Sequence, residues 1–182
     1  GSLVRKKLRN YFVKRLDGLI LVSQDVARWY SSHFPLKQPP IVFPIVYNED
    51  LYQRMLGQIM PISKVHQEHF GLKNKKIILF VGRLTEVKNI PLLIKAFCKL
   101  SDADDVRLVL VGDGDKKDEL KTLVQNLHLE DKVIFAGRFE GDKLYAWYNI
   151  ANLFVLPSIY EPFGAVTAEA LEAGCQVLCS DR

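Results

Sequence analysis

From residue 75 onward, short uninterrupted apolar segments alternate with segments of helical periodicity, and this alternation constrains the fold more than any other feature. It predicts strands over 77–81, 106–111, 132–136, 153–156 and 176–179, and helices over 89–100, 116–127, 142–151 and 163–173. Strands that are apolar at every position, rather than at alternate ones, are typical of a parallel sheet covered by helices on both faces. The sequence therefore predicts an α/β fold.

The first 74 residues follow a weaker pattern. They predict a helix over 1–17, a strand over 18–23, a helix over 24–34, a short strand over 41–46, and a linker over 47–74 with one or two short helices. Because the alternation of strand and helix is interrupted at both ends of the chain, we expect a piece of a longer protein. The predicted division is a first segment of 1–46, a linker of 47–74 and a domain of 75–182 that is incomplete at its C-terminal end.

The positive charge of the chain is concentrated in the first helix. Of 25 basic and 21 acidic residues, six basic and one acidic lie within residues 1–17, which leaves 19 basic and 20 acidic residues elsewhere. A basic face wide enough for nucleic acid is therefore not predicted. The three cysteines lack metal-ligand spacing and favour reduced thiols in the cytosol. No apolar run is long enough to cross a bilayer.

Ligands of a parallel α/β sheet bind outside the carboxyl ends of the strands, near the point where the strand order reverses. We expect one crevice there, lined by the loops at 82–89, 112–116, 137–142 and 157–163. Arg83 and Lys88 flank the start of a helix that Asn89 is expected to cap, and two cations beside free backbone N–H groups form an anion site. The alternative is an Arg83 paired with Glu86 and a solvated Lys88. The glycine pattern of a P-loop is absent, so ATP hydrolysis is not predicted.

Two glutamates flank a predicted helix start in the last loop. Glu161 precedes Pro162 and is biased toward an extended backbone, whereas Phe163 and Gly164 open a helix whose first N–H groups are free. Glu169 lies further along that helix, about 9 Å along its axis. This spacing suits the two ends of a polyhydroxylated, diphosphate-linked ligand, with the diphosphate at the helix N-terminus. The alternative is a solvated Glu161 and a Glu169 neutralised by nearby lysines.

Three other patterns have a structural and a functional interpretation. Residues 112–115, Gly-Asp-Gly-Asp, favour a tight turn over a metal site. The aromatic residues of 145–148 favour core packing over a base-stacking platform. His66 and His69 are three residues apart, but no third ligand is apparent. The sequence predicts no metal site.

Four segments together resemble the retaining GT-B glycosyltransferases of family 4. They are VGRLTEVKNIPLLIKAF, LVLVGDGDKKDELK, VIFAGR and SIYEPFGAVTAEALEAGCQVLCSD, and they stand in the family's order and spacing within residues 75–182. The resemblance implies two facing Rossmann-like lobes, of which 75–182 would be the C-terminal, donor-binding one. The segment VSQDVARWY resembles the end of the N-terminal lobe, although the usual Asn-Gly of the following linker is replaced by IVYNED.

The resemblance also implies roles for individual residues. Arg83 and Lys88 would hold the diphosphate and stabilise the leaving nucleotide in place of a metal. Glu161 would contact the donor sugar and Glu169 the ribose. The implied catalytic residues are Arg83, Lys88 and Glu161. The implied donor-binding residues are Arg83, Lys88, Gly137 and Arg138 at the base, Glu161, Phe163, the amides of Gly164 and Ala165 at the distal phosphate, and Glu169.

The implied function is transfer of a hexose, with retention and without a cofactor or divalent cation, from a UDP- or GDP-sugar to an acceptor that the sequence does not identify. The setting would be bacterial cell-surface polysaccharide or glycolipid synthesis in the cytoplasm, and this chain alone would be inactive. Two alternatives are a non-catalytic nucleotide-sugar-binding module and a nucleotide-sugar epimerase of the same fold.

The basic helix allows two interpretations. Through residues 3–16 it either contacts anionic lipid at the inner face of the membrane or is an ordinary helix of the N-terminal lobe. Apolar faces at both ends of the chain also predict self-association.

Overall fold

A computed structural model describes residues 2–43, 49–100, 105–161 and 163–181, and the chain divides into two units, residues 1–47 and 48–182. The first unit contains α1 (Ser2–Val13), β1 (Ile20–Leu21), α2 (Gln24–His33) and β2 (Ile41–Val42). The two short strands are parallel, with Ile20 opposite Ile41. Ser23 caps α2, since its hydroxyl accepts a hydrogen bond from the N–H of Val26 at 3.3 Å. The predicted strand residues 44–46 lie outside the described residues.

The second unit contains a long helix followed by alternating strands and helices. Its elements are α3 (Glu49–His69), β3 (Lys76–Val81), a short 3-10 helix (Glu86–Lys88), α4 (Ile90–Cys98), β4 (Val106–Val111), α5 (Lys117–Asn126), β5 (Val133–Gly137), α6 (Asp142–Ile150), β6 (Leu153–Leu156), α7 (Ala165–Glu172) and β7 (Gln176–Cys179). The strands form one parallel sheet in the order β5-β4-β3-β6-β7. The predicted α/β fold is confirmed, and the strand order reverses between β3 and β6.

The central strands are buried on both faces, as their uninterrupted apolar sequences require. In β3, Leu79 and Phe80 point to opposite faces and both are fully buried, and Leu110 of β4 is equally buried. Ile94 of α4 and Trp147 of α6 belong to the same core. Burial of apolar area on both faces of the sheet supplies the main favourable contribution to folding of this unit.

Residues 49–69 differ from the predicted linker with one or two short helices. They form one 21-residue helix, α3, which belongs to the second unit and packs against α6. The periodicity is weak because the buried face of α3 includes two polar residues, Ser63 and His66. The Ser63 hydroxyl donates to the carbonyl oxygen of Ala146 at 3.1 Å, and the His66 ring stacks on Trp147 at a centroid distance of 4.5 Å. The Ser63 bond, and a hydrogen bond between His66 Nε2 and the Lys143 carbonyl oxygen at 3.0 Å, satisfy polar groups that a purely apolar pattern cannot reveal.

The predicted side-chain cap of α4 by Asn89 is wrong. Asn89 does occupy the N-cap position, but its backbone is left-handed, with φ of 50°, and its side chain makes no capping hydrogen bond. The reason is that Asn89 also ends the preceding 3-10 helix, where its N–H donates to the carbonyl oxygen of Glu86 at 3.0 Å. A left-handed residue at such a junction is well suited to asparagine.

Candidate functional site

The loops after β3 and β6 meet where the strand order reverses. The N–H of Ile159 donates to the carbonyl oxygen of Val87 at 2.8 Å, which ties the backbone of one loop to that of the other. Next to this bond, Lys88 of the first loop and Glu161 of the second form an ion pair. The two residues are 73 positions apart in sequence. Only the adjacency of β3 and β6 brings them together.

The loop after β4 lies directly against the loop after β3. A Cβ on Gly112 would lie 1.9 Å from the carbonyl oxygen of Gly82, and one on Gly114 would lie 2.4 Å from that of Leu84. Both distances are far inside van der Waals contact, so these two positions require glycine. The Asp113 carboxylate accepts a hydrogen bond from the N–H of Gly114 at 2.9 Å and lies 3.3 Å from the Lys117 ammonium. The contacts of the Gly-Asp-Gly-Asp run are those of a turn, and no group of three metal-ligating residues occurs in the described part of the chain.

The Glu161 carboxylate accepts three hydrogen bonds from described residues of this crevice. It accepts hydrogen bonds from the Lys88 ammonium, from the Ser158 hydroxyl at 3.3 Å and from the N–H of Gly164 at 3.2 Å. The side chains of Lys88 and Glu161 are only 13% and 18% exposed. The interpretation of both residues as solvated side chains therefore does not hold. Ser158, which no sequence pattern distinguishes, is itself buried.

The surroundings of Glu161 favour its charged form. Burial by itself would raise the pKa of the carboxyl, but the hydrogen bond and charge of Lys88, with the Gly164 N–H and the Ser158 hydroxyl, outweigh burial. The pKa is thereby held below its ordinary value of 4.5. Glu161 is thus a fixed anion near neutral pH, held against a cation and a helix N-terminus.

Arg83 is exposed at the end of β3. Across the described residues it forms no ion pair with Glu86 or any other carboxylate, and no side-chain hydrogen bond. An exposed guanidinium without a carboxylate partner remains available for an anionic ligand. Lys88 differs, because a ligand phosphate that binds Lys88 has to share it with Glu161 or displace Glu161.

Helix α7 begins two residues later than predicted, at Ala165. Gly164 occupies the N-cap position in the left-handed conformation, with φ of 67°, and its N–H is not free, since Glu161 accepts its hydrogen bond. The N–H groups of Ala165 and Val166 have no acceptor among the described residues. The start of α7 therefore still presents free donors next to Glu161.

Glu169 lies in α7, about 6 Å along the helix axis from Ala165. Its partner is not a lysine but a tyrosine of α6: the Tyr148 hydroxyl donates to Glu169 Oε2 at 2.8 Å. Glu169 is half-buried, and Tyr148 is fully buried. The predicted core packing of Tyr148 is correct, but its hydroxyl also has a specific acceptor that the aromatic pattern does not show.

Three predicted residues remain, which are Gly137, Arg138 and Phe163. Arg138, after β5, is exposed and pairs with Glu140 at 2.5 Å, and Phe163 is 45% exposed. Gly137 joins this loop to the loop after β4, since its carbonyl oxygen accepts a hydrogen bond from the N–H of Gly112 at 2.8 Å. In the part of the chain that the structure describes, none of the three shares a hydrogen bond with Glu161 or Glu169. Among the described helices, none has the length and apolarity to span a bilayer.

The family match and the relatives found by comparison with known proteins agree with one another, since all are named as glycosyltransferases. Residues 61–182 match the family described as Glycosyl transferases group 1. The N-acetylgalactosamine-N,N'-diacetylbacillosaminyl-diphospho-undecaprenol 4-alpha-N-acetylgalactosaminyltransferase of Campylobacter jejuni is 40% identical over 184 residues, covering 100% of this chain and 46% of the relative. An uncharacterized glycosyltransferase of Methanocaldococcus jannaschii is 45% identical over 107 residues, 59% of this chain and 27% of the relative.

The solved structures agree on the fold. The crystal structure of HepE from Anabaena in complex with UDP superposes with a TM-score of 0.79 at 24% identity, and the match covers 100% of this chain and 50% of HepE. Sucrose-phosphate synthase from Thermosynechococcus elongatus superposes with a TM-score of 0.70 at 25% identity, over 98% of this chain and 44% of that protein. The chain thus spans about half the length, or less, of the relatives that it matches.

Proposed function

The chain belongs to the glycosyl transferases group 1 family, and on that premise we propose that the complete protein transfers a hexose from a nucleotide-diphosphate sugar to an acceptor with retention of anomeric configuration. The second unit carries the donor side of the reaction. The chain by itself binds the donor but does not turn it over, because the family's acceptor side is formed by the other lobe.

The observation that carries this proposal is the Lys88–Glu161 contact at the switch point, next to the start of α7. It puts a cation and free backbone donors, which suit a diphosphate, beside a carboxylate, which suits sugar hydroxyls. Lys88 and Arg83, which forms no ion pair among the described residues, would stabilise the charge that develops on the leaving nucleotide, so that no divalent cation is required. These roles agree with those that the resemblance implies.

The rest of the crevice would bind the nucleoside end of the donor. Glu169, an acceptor-only carboxylate without a cationic partner in the described residues, would bind the ribose hydroxyls. Gly137, Arg138 and the exposed Phe163 would border the base. The N–H of Ala165 would meet the distal phosphate, and Gly164, whose own N–H is bonded to Glu161, would let that phosphate approach the backbone closely. Uracil and guanine remain the two candidate bases.

The acceptor is proposed from the relatives' names. The Campylobacter jejuni relative acts on a diphospho-undecaprenol, and a 28% identical relative from Streptococcus pneumoniae is named alpha-monoglucosyldiacylglycerol synthase. Both names indicate lipid-linked acceptors, which supports synthesis of a bacterial glycolipid or cell-surface polysaccharide. Such a reaction would take place in the cytoplasm, at the inner face of the membrane.

Helix α1 is the segment that we propose to contact that membrane. Leu3, Val4, Leu8 and Phe12 are all more than half exposed, and the helix carries basic residues as well. Arg9 lies over the Trp29 ring at 5.0 Å, so not every cation of α1 faces solvent freely. Sedimentation with anionic and neutral liposomes, with and without residues 1–17, tests the contact. Equal partitioning of both forms would leave an ordinary helix, whose apolar face instead favours self-association.

Calorimetric titration of the folded chain with UDP, GDP and ADP and with their sugars tests the proposal. Weak binding of one nucleotide series is expected. Arg83→Ala and Lys88→Ala should remove affinity for the diphosphate, whereas Glu169→Ala should weaken the nucleoside contribution. Lys121→Ala, an exposed cation of α5, is the matched control and should bind as the wild type does. A folded chain that binds none of these ligands would refute the proposal.

Two other functions would use the same donor site. A non-catalytic binding module is disfavoured because Arg83, Lys88, Glu161 and Glu169 are all present and three of them have the specific contacts described above. An epimerase would convert the donor without an acceptor. Product analysis of the full-length protein supplied with donor alone separates the two, since only an epimerase yields an isomeric nucleotide sugar.

A further inference from the structure

Tyr148 connects helix α6 to the carboxylate that is assigned to the ribose. It lies on α6, is fully buried, and its hydroxyl donates to Glu169 Oε2 at 2.8 Å across the contact between α6 and α7. We propose that Tyr148 is a positioning residue that orients the Glu169 carboxylate toward the ribose of the donor. This inference rests on the proposed function of Glu169.

The Tyr148 ring is held from several directions. It packs edge-on against Phe154 of β6 at a centroid distance of 5.9 Å and against Tyr145 at 6.0 Å. The Cys175 thiol donates to the Tyr148 carbonyl oxygen at 3.1 Å. Burial, together with the nearby charge of Glu169, raises the pKa of the hydroxyl, so the phenol keeps its proton and acts as a donor at any physiological pH. The hydroxyl is therefore a fixed donor in a packed core.

Glu169 depends on this donor because no other side chain that the structure describes donates to its carboxylate. In the described part of the chain, no lysine, arginine or second hydroxyl contacts its carboxylate. The Tyr148 bond fixes Oε2, and Oε1 has no hydrogen-bond partner among the described residues. An ionised carboxylate can only accept hydrogen bonds, and the hydroxyls of a ribose are donors. Without Tyr148 the flexible glutamate side chain would have to be ordered by the ligand itself, which weakens binding.

The test compares variants that remove one hydroxyl. Tyr148→Phe should bind UDP, or GDP if that is the preferred nucleotide, up to about tenfold more weakly than the wild type does, the size expected when the ligand has to order one flexible side chain. The 2′,3′-dideoxy analogue lacks the hydroxyls that Glu169 would contact, so the wild type and Tyr148→Phe should bind it equally. The double variant Tyr148→Phe with Glu169→Ala should bind the nucleotide no more weakly than Glu169→Ala alone, because alanine removes the acceptor of the Tyr148 hydroxyl.

The matched control is Tyr52→Phe. Tyr52 is also a buried tyrosine with a hydrogen-bonded hydroxyl, which donates to Asn149 Oδ1 at 2.9 Å at the contact between α3 and α6. It should lose stability in the same way but bind UDP as the wild type does. If Tyr148→Phe does not fold, 3-fluorotyrosine incorporated at position 148 replaces it. Its fluorine resonance should then shift with the nucleotide and not with the dideoxy analogue.

Three results would overturn the inference. They are unchanged affinity of Tyr148→Phe for the nucleotide, equal loss for the nucleotide and its dideoxy analogue, or a loss that Tyr52→Phe reproduces. Each of them leaves the donor site in place and removes only the role of Tyr148. A folded wild-type chain that binds no nucleotide would refute the proposed function as well, so the two failures are distinguishable.

Discussion

Two glycine-to-alanine substitutions of identical chemistry are expected to have opposite effects on this protein. Gly112 follows β4 and has φ of 141°, whereas Gly57 lies exposed in the middle of α3, where an added Cβ would meet no atom within 4 Å. The first substitution should destabilise the second unit severely and the second should stabilise it slightly. The difference between the two changes in free energy of unfolding measures how strongly the structure depends on the close approach of the loops that form the candidate site.

The magnitude follows from the geometry around Gly112. Its Cβ would lie 1.9 Å from the carbonyl oxygen of Gly82, so β3 and β4 would have to separate by more than about 1 Å to restore an ordinary contact. This movement disrupts the bonds that cross the sheet edge, from Gly82 N–H to Val111 O at 3.0 Å and from Gly112 N–H to Gly137 O at 2.8 Å. Each is worth about 1 kcal/mol, and the positive φ adds about 1–3 kcal/mol of strain. The free energy of unfolding should fall by about 4 kcal/mol or more.

The Gly57 substitution has none of these consequences. Alanine is preferred over glycine within a helix by about 0.5–1 kcal/mol, so Gly57→Ala should raise the free energy of unfolding by about that amount. Urea unfolding followed by far-ultraviolet circular dichroism measures both variants. A Gly112→Ala protein within about 1 kcal/mol of the wild type would refute the packing argument. Equal destabilisation by both substitutions would show that the added methyl group, rather than its location, is responsible.

Three further predictions concern the ionisable groups. Lys88→Met leaves the Glu161 carboxylate with only its two weaker donors and should lower the free energy of unfolding by about 1–3 kcal/mol, measured by urea unfolding at pH 7. Because the pKa of Glu161 is lowered on folding, its stabilising contribution is full above pH 4.5 and is lost as the pH falls through the folded-state pKa. The difference in free energy of unfolding between the wild type and Glu161→Gln should therefore shrink on acidification, and a constant difference would contradict this prediction. Burial lowers the pKa of His66 below 6.5, although its bond to the Lys143 carbonyl opposes the shift. The stability of the wild type should therefore fall as the pH drops below 6.5, whereas the melting temperature of His66→Phe should depend less on pH in thermal melts.

Much of the fold could be predicted because parallel strands buried on both faces have a distinctive sequence pattern. The runs that form β3, β4 and β6 are apolar throughout, and each structural strand overlaps its predicted segment. Helix α3 could not be predicted in the same way. Its inner face carries Ser63 and His66, whose burial is possible only because carbonyl oxygens of Ala146 and Lys143 on α6 accept or share their hydrogen bonds. A pattern rule based on apolar residues does not detect a helix of that kind.

The sequence by itself determined which residue types the site contains and their order: Arg83 and Lys88 after one buried strand, Glu161 and Glu169 around a glycine-opened helix. Only the tertiary structure decided which of these side chains meet. The adjacency of β3 and β6 pairs Lys88 with Glu161, and the packing of α6 on α7 places the Tyr148 hydroxyl on Glu169. The physical reason is that hydrogen bonds and ion pairs act over about 3–4 Å. Sequence spacing cannot specify such distances between segments that only the folded sheet brings together.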